Sequence, residues 1–307
     1  MTKTIEAVQL TKFYGEARGI EGVDLQVEES EIFGFIGPNG AGKTTTIRSL
    51  LDLIFPTSGE ARIFGLDTHK SSKEIKESVG YLPSDDYFYK GMSARNLLFY
   101  SARIRRIDDT ATRNRIGEMA ERLDLNLDAK IKSLSRGNRR KVSIINALLP
   151  RAKLLILDEP TSGLDPLMQT RFFELLQKEQ ENGTTIFFSS HILSEVQRIC
   201  NRVAIIKKGK IVRTADIEAL AREHVKKITL EFKPGKFAGE MHIDGAERIE
   251  SNGNTVRFLY KGEITDVLLY LATNKLHSQL QDLYIERSTL EEIFIGYYDG
   301  SEEEQRS

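Results

Sequence analysis

Ile32-Phe33-Gly34-Phe35-Ile36-Gly37-Pro38-Asn39-Gly40-Ala41-Gly42-Lys43-Thr44-Thr45 decides the fold class of this chain. Ile32 to Ile36 reads as a buried strand. The glycine-rich turn after it leads into a helix over Lys43 to Leu53 that stops ahead of Pro56 and Gly59. Gly37 to Thr44 fits the pattern Gly-x-x-x-x-Gly-Lys-Ser/Thr, in the strand-turn-helix context that the pattern requires. The glycines let backbone N–H groups turn inward around phosphates, and the helix N-terminus adds its positive end. Lys43 is then expected to reach the β and γ phosphates, and the Thr44 hydroxyl can bind magnesium.

Working outward, a second strand-to-turn boundary carries acids. The apolar run Leu154-Leu155-Ile156-Leu157 ends in Asp158-Glu159-Pro160, so two carboxylates stand where a buried strand reaches solvent. Asp158 is placed to hold Mg2+. Glu159 is placed to polarise a water beside the γ phosphate, a contribution of about 10^2 to 10^4 in rate. Thr184 to Phe188 is a further buried strand, followed by Ser189-Ser190-His191. Between these elements lies the polar turn Leu134-Ser135-Arg136-Gly137-Asn138, where Ser135 suits the N-cap of a helix over Arg139 to Leu149.

The first 220 or so residues alternate short β-rich runs with helical patterns, the mark of an α/β domain with a largely parallel sheet. From about Lys226 the composition changes. Strands are predicted at Ile228 to Phe232, Thr255 to Tyr260 and Asp282 to Ile285, with a helix at Ile264 to Leu271. Ser288-Thr289-Leu290-Glu291 has capping-box spacing ahead of a helical face of Leu290, Ile293, Phe294 and Tyr297, and residues 301–307 form a charged tail expected to be disordered. Three segments follow: 1–225, with a helical subdomain at about 88–150; a 226–300 α+β appendage suited to docking; and the tail.

At 307 residues the chain is long enough for one large domain and a smaller one. Lys plus Arg number 44 against 45 Asp plus Glu, so overall charge predicts no nucleic-acid partner. The lone Cys200 excludes a disulfide framework and a cysteine zinc site, and the histidines lack metal-ligand spacing. No apolar run approaches the roughly 18 residues of a membrane span. The N-terminus lacks the apolar centre of a secretory signal, which predicts a cytosolic protein attached to a membrane through a partner.

In order and spacing these motifs resemble the nucleotide-binding subunit of ATP-binding cassette (ABC) transporters, in particular the ABC-2 type group that energises exporters with separately encoded membrane subunits. The resemblance covers nearly the whole chain. Gly37 to Thr45 looks like the phosphate loop, Leu134 to Asn138 like the signature, and Leu154 to Glu159 like the metal strand with its catalytic glutamate. Ser162 to Asp165 is similar to the loop that crosses the dimer interface, and His191 to the switch histidine. The fold so implied is a P-loop NTPase with a RecA-like core, an antiparallel β subdomain, a helical subdomain and a small C-terminal α+β domain.

The resemblance also implies roles. Glu159, His191 and Lys43 would be catalytic. ATP would be bound by Tyr14 stacked on adenine, with Phe13 as its neighbouring candidate, and by Gly37, Pro38, Asn39, Gly40, Ala41, Gly42, Lys43, Thr44 and Thr45. Ser135 and Gly137 would face the ATP of a second subunit, an identical chain in preference to a different one. Thr44 and Asp158 would hold Mg2+. The chain would sit at the cytoplasmic face of the cell membrane and power export through a permease docked on the region Asp85 to Tyr100, where Tyr87, Phe88, Tyr89 and Met92 cluster.

Two departures from the family pattern stand out. Ser84 occupies a position where glutamine is usual, so the link from metal to membrane-facing surface is expected to weaken or to be rebuilt around Asp85. Arg136 and Asn138 replace glycine and glutamine in the signature. Arg136 either contacts nucleotide or partner, or points away idle, and the second is favoured. The rival function is a non-transport ABC ATPase. A translation or ribosome factor would generally carry two cassettes, and a DNA-repair ATPase would break residues 45–134 with a long coiled coil that is not present.

Overall fold

The computed structural model of the chain describes residues 2–86, 88–89, 91–222, 226–235 and 241–287. Tyr87, the capping box at 288–291 with its helical face, and the tail at 301–307 lie outside the described residues. The chain divides into two compact units, Met1–Ile217 and Glu218–Ser307.

The first unit is built on a six-stranded sheet in the order Lys210–Asp216, Arg202–Lys207, Ile32–Ile36, Thr185–Ser190, Leu154–Asp158, Val79–Leu82. All neighbours are parallel except the Arg202–Lys207 and Lys210–Asp216 hairpin. Strands covered on both faces need apolar residues throughout, and Ile32–Ile36 and Leu154–Asp158 are buried at every position. Register aligns Ile36 with Ser190 and Asp158 with Ser189. Three strands therefore end side by side, at Gly37, Glu159 and His191, where ligands gather in open α/β sheets.

A second, antiparallel sheet runs in the order Ala17–Glu28, Lys3–Tyr14, Ser58–Ile63, Leu66–Asp67. Its apolar face (Ile5, Leu10, Ile20, Val23, Ile63) joins Ile47 and Leu50 of helix Lys43–Leu50 and Phe33, Phe35 and Phe187 of the main sheet in one core. That shared core holds the loop before Lys43 against both sheets. Helices Ala94–Ile104, Thr110–Arg122 and Arg136–Leu148 pack on one another. Each begins at a side-chain cap: Ser93 accepts from the Asn96 N–H, Asp109 from Thr112 and Ser135 from Asn138.

In the second unit an antiparallel sheet runs Ala246–Asn252, Thr255–Tyr260, Lys226–Phe232, Leu280–Arg287. Ile228, Leu230, Phe258, Val267 and Leu271 fill its core, the last two from helix Ile264–Thr273. Strand Ala246–Asn252 is absent from the sequence reading. It is an edge strand with a single large apolar residue, the 38 % exposed Ile249, and carries almost no periodic signal. No described helix is long and apolar enough to cross a membrane.

Candidate functional site

The turn between strand Ile32–Ile36 and helix Lys43–Leu50 is a cradle of backbone amides. Gly42, the helix N-cap, sits at φ +111, a left-handed conformation that a side chain resists. The Gly37 N–H donates to the Ser190 carbonyl at 3.3 Å, tying the loop to the neighbouring strand end. Pro38, Asn39 and Gly40 are exposed, while Ala41 and Lys43 are buried. Lys43 Nζ donates to the carbonyls of Gly37 at 2.6 Å and Pro38 at 3.2 Å.

The acids arrive from the adjacent strand. Asp158 is fully buried and accepts through both oxygens, from Thr44 Oγ1 at 2.8 Å and Ser189 Oγ at 2.7 Å. Asp158 also bears on Tyr81 of the next strand: burial first, then this carboxylate, pushes the Tyr81 phenol up, against the pull of Arg48. Glu159 takes a left-handed backbone at φ 49, held by its N–H to the Ser189 carbonyl at 3.2 Å. Backbone in that region persists only where its surroundings impose it. One Glu159 oxygen lies 3.0 Å from Lys43 Nζ, an ion pair whose angle falls short of a hydrogen bond. The other is 2.5 Å from His191 Nδ1. Lysine, acid and histidine thus form one chain of contacts across three strand ends.

Tyr14 ends strand Lys3–Tyr14, half exposed, with Lys12 Nζ 5.4 Å from its ring centre. Its ring and the Thr45 methyl both border Gly19, which places Tyr14 beside the loop. Phe13 is half-buried.

The signature turn is a separate group. Among the described residues no hydrogen bond or ion pair joins Ser135–Asn138 to the Gly37–Thr45 loop. Ser135 caps helix Arg136–Leu148. Gly137 lies against the Gly163 carbonyl, where a Cβ would come within 2.7 Å. Arg136 is not idle: its Nη2 donates to Ser162 Oγ at 3.0 Å, and its stem rests on Gly163, so it binds the chain's own Ser162–Asp165 loop. The expectation for Ser84 is corrected in its detail. Asp85 is exposed, and it is Asp86 that joins the inner network, accepting from Arg140 Nη1 at 3.1 Å and from the Ser143 hydroxyl.

Arg140 and Ser189 are the residues that motif reading passes over. Arg140 is 1 % exposed. It donates to the carbonyls of Pro83 at 2.6 Å, Asp158 at 2.9 Å, Glu159 at 2.7 Å and Pro160 at 2.9 Å, besides Asp86. Burial pulls its guanidinium below the ordinary arginine range, and Asp86 opposes that. In Arg139-Arg140-Lys141 nothing local distinguishes the middle cation; only the register of Ser189 beside Asp158 could have pointed to the other residue.

A phosphate loop, a strand-end acid pair and a capped signature helix define an ATPase of the cassette class. The family described as ABC transporter matches residues 20–162. The bacitracin transport ATP-binding protein BcrA of Bacillus licheniformis is 34 % identical over 300 residues, covering 93 % of this chain and 97 % of that protein. The Nod factor export ATP-binding protein I of Cupriavidus metallidurans is 30 % identical, covering 96 % and 97 %. A solved structure of an ATP-binding subunit of an ABC transporter superposes with a TM-score of 0.67 at 27 % identity, covering 71 % of this chain and 92 % of that one. The chain belongs to the ATP-binding subunits of ABC transporters, and it is an ATPase.

Proposed function

We propose that the chain binds Mg-ATP in the Gly37–Thr45 loop, dimerises around it, and drives export through a separate membrane permease at the cytoplasmic face of the membrane. The observation that carries this reading is the Lys43–Glu159–His191 chain beside the Thr44–Asp158 hydrogen bond. Lys43 and the loop amides bind and orient the β and γ phosphates, Tyr14 stacks on the adenine, and Thr45 completes the loop. Glu159 accepts a proton from the attacking water, and His191 holds Glu159 in place through Oε2. The helix behind Ser135 and Gly137 offers its positive end to the γ phosphate held by a second, identical chain.

Thr44 Oγ1 and Asp158 Oδ2, 2.8 Å apart, are hard oxygen donors that fit Mg2+. No described cluster of three or more His, Cys, Asp or Glu forms a metal cage. Mg2+ is commonly held by one or two protein oxygens together with substrate phosphates. When bound, the ion neutralises charge developing on the phosphoryl oxygens.

Transport is supported by the name of the bacitracin transport relative, and export as the direction by that of the Nod factor export relative. Docking of the permease on Asp85 to Tyr100 is supported by Tyr89 and Tyr100, which are 68 % and 46 % exposed and meet edge to face at 6.4 Å. A buried core role accounts for Leu97 and Leu98, but not for these rings. Glu159→Gln tests the reading: ATP binding persists, turnover collapses and size-exclusion chromatography shows an ATP-trapped dimer. Turnover at the unsubstituted rate would remove Glu159 from the chemistry.

A further inference from the structure

We infer that Arg140 is a positioning residue for hydrolysis, which fixes the backbone of the Asp158–Pro160 turn and locks it to both the signature helix and the Pro83–Asp86 loop. The inference rests on the reading of Glu159 as the general base. It starts from donor capacity. A guanidinium offers a rigid planar fork of N–H groups and no acceptor. Here Nε serves Pro160, Nη1 serves Pro83 and Asp86, and Nη2 serves Asp158 and Glu159, so all of the N–H groups are used. A cation this deeply buried is stable only when paired and fully bonded, and Asp86 supplies the paired charge.

The choice of acceptors gives the residue its role. Three successive carbonyls, those of Asp158, Glu159 and Pro160, converge on one planar group. The middle residue is the one held at φ 49. Turning Glu159 toward an ordinary strand or helix conformation would swing its carbonyl off the fork. Arg140 therefore maintains the backbone that aims Glu159 at Lys43 and His191.

The same head group reaches two other elements. Arg140 lies within helix Arg136–Leu148, whose N-terminus is the signature turn. Asp86 also accepts from the hydroxyl of Ser143, three residues further along that helix, so the Pro83–Asp86 loop is pinned at two points. That loop precedes the exposed Tyr89. A displacement of either the helix or the loop must move, or be resisted by, the carbonyl of Glu159. The loop carrying Ser84 is thus joined to the acid turn from outside the metal position, by a side chain contributed from another helix.

The test uses the full chain with Arg140→Lys, Asp86→Asn and the double variant, measuring nucleotide affinity by titration and ATPase rate per bound nucleotide. Lysine keeps the charge but cannot span the set of acceptors, and misplacement of a catalytic group by about 1 Å costs on the order of 100-fold. Arg140→Lys is expected to lower kcat about ten- to hundred-fold with KM for ATP within about two-fold. Asp86→Asn keeps the Ser143 contact and is expected to give a smaller fall in kcat, and the double variant is no slower than Arg140→Lys, because both act through one link. Asp86→Asn carries the test if Arg140→Lys does not fold. Unchanged kcat per bound nucleotide in the folded variants, with any loss confined to the fraction that binds ATP, would overturn the inference. Failure of the base assignment is seen separately, as Glu159→Gln that still turns over.

Discussion

The phosphate cradle and the signature turn are held in opposite ways. Lys43, Asp158 and Ser189 are buried: Asp158 accepts from Thr44 and Ser189, and Lys43 pairs with Glu159, so these contacts are made within one chain. Ser135 and Arg136 are exposed, and the turn is held by a helix cap, by Ser162 and by contact with Gly163. A buried network is held by packing and desolvated hydrogen bonds, whereas a capped helix end facing solvent leaves its positive end open. The difference teaches that substitutions in the cradle should alter chemistry within one chain, and those in the turn should alter what two chains do together.

The largest expected break is at Glu159. Glu159→Gln should lower turnover by about 10^2 to 10^4 while nucleotide titration stays near normal. Next comes Lys43→Ala, which removes a charge-assisted contact to phosphate and leaves Glu159 without its cation. ATP affinity should fall about ten- to hundred-fold in a direct binding titration, and full affinity would contradict the cradle assignment. On the other side of the comparison, Ser135→Ala removes the cap on the Asn138 N–H, worth about 1 kcal/mol to the helix. Light scattering with ATP present should show weaker dimerisation, with ATP affinity of the single chain unmoved. A parallel loss of that affinity would mean that the two regions are not separable.

The smallest effect is expected at Asp108, a control in the connection between helices Ala94–Ile104 and Thr110–Arg122. Arg113 first and Arg103 second hold its carboxyl below the usual carboxylate range. A depressed folded-state pKa gives stability that is present at neutral pH and lost as pH falls through the carboxylate range. Asp108→Asn should lower the melting temperature by about a degree or two at pH 7, and the gap should close as pH drops below about 4. A gap that widens in acid would reverse the assignment.

The cradle was legible because its chemistry is local: a strand, a glycine turn and a helix cap lie within fourteen consecutive residues, Ile32 to Thr45. The acid pair and His191 were legible for the same reason, as polar residues ending apolar runs. Arg136 was misjudged as idle because its partner, Ser162, lies across a long stretch of chain. Nothing local in the sequence tells Arg139, Arg140 and Lys141 apart, yet each bonds a backbone carbonyl: Leu134 at 2.7 Å for Arg139, Asp124 at 3.2 Å for Lys141 and the acid turn for Arg140.

The amino-acid sequence by itself determined the nucleotide loop, the carboxylates and the capped signature helix, because each depends on backbone propensity and short-range hydrogen bonding. Only the tertiary structure decided that Arg140 lies inside, that Ser189 backs Asp158, and that Asp86 rather than Asp85 anchors the loop beside Ser84. The physical reason is burial. A charged group becomes a structural pin only where packing removes water from it, and that depends on which distant segments the sheet order brings together.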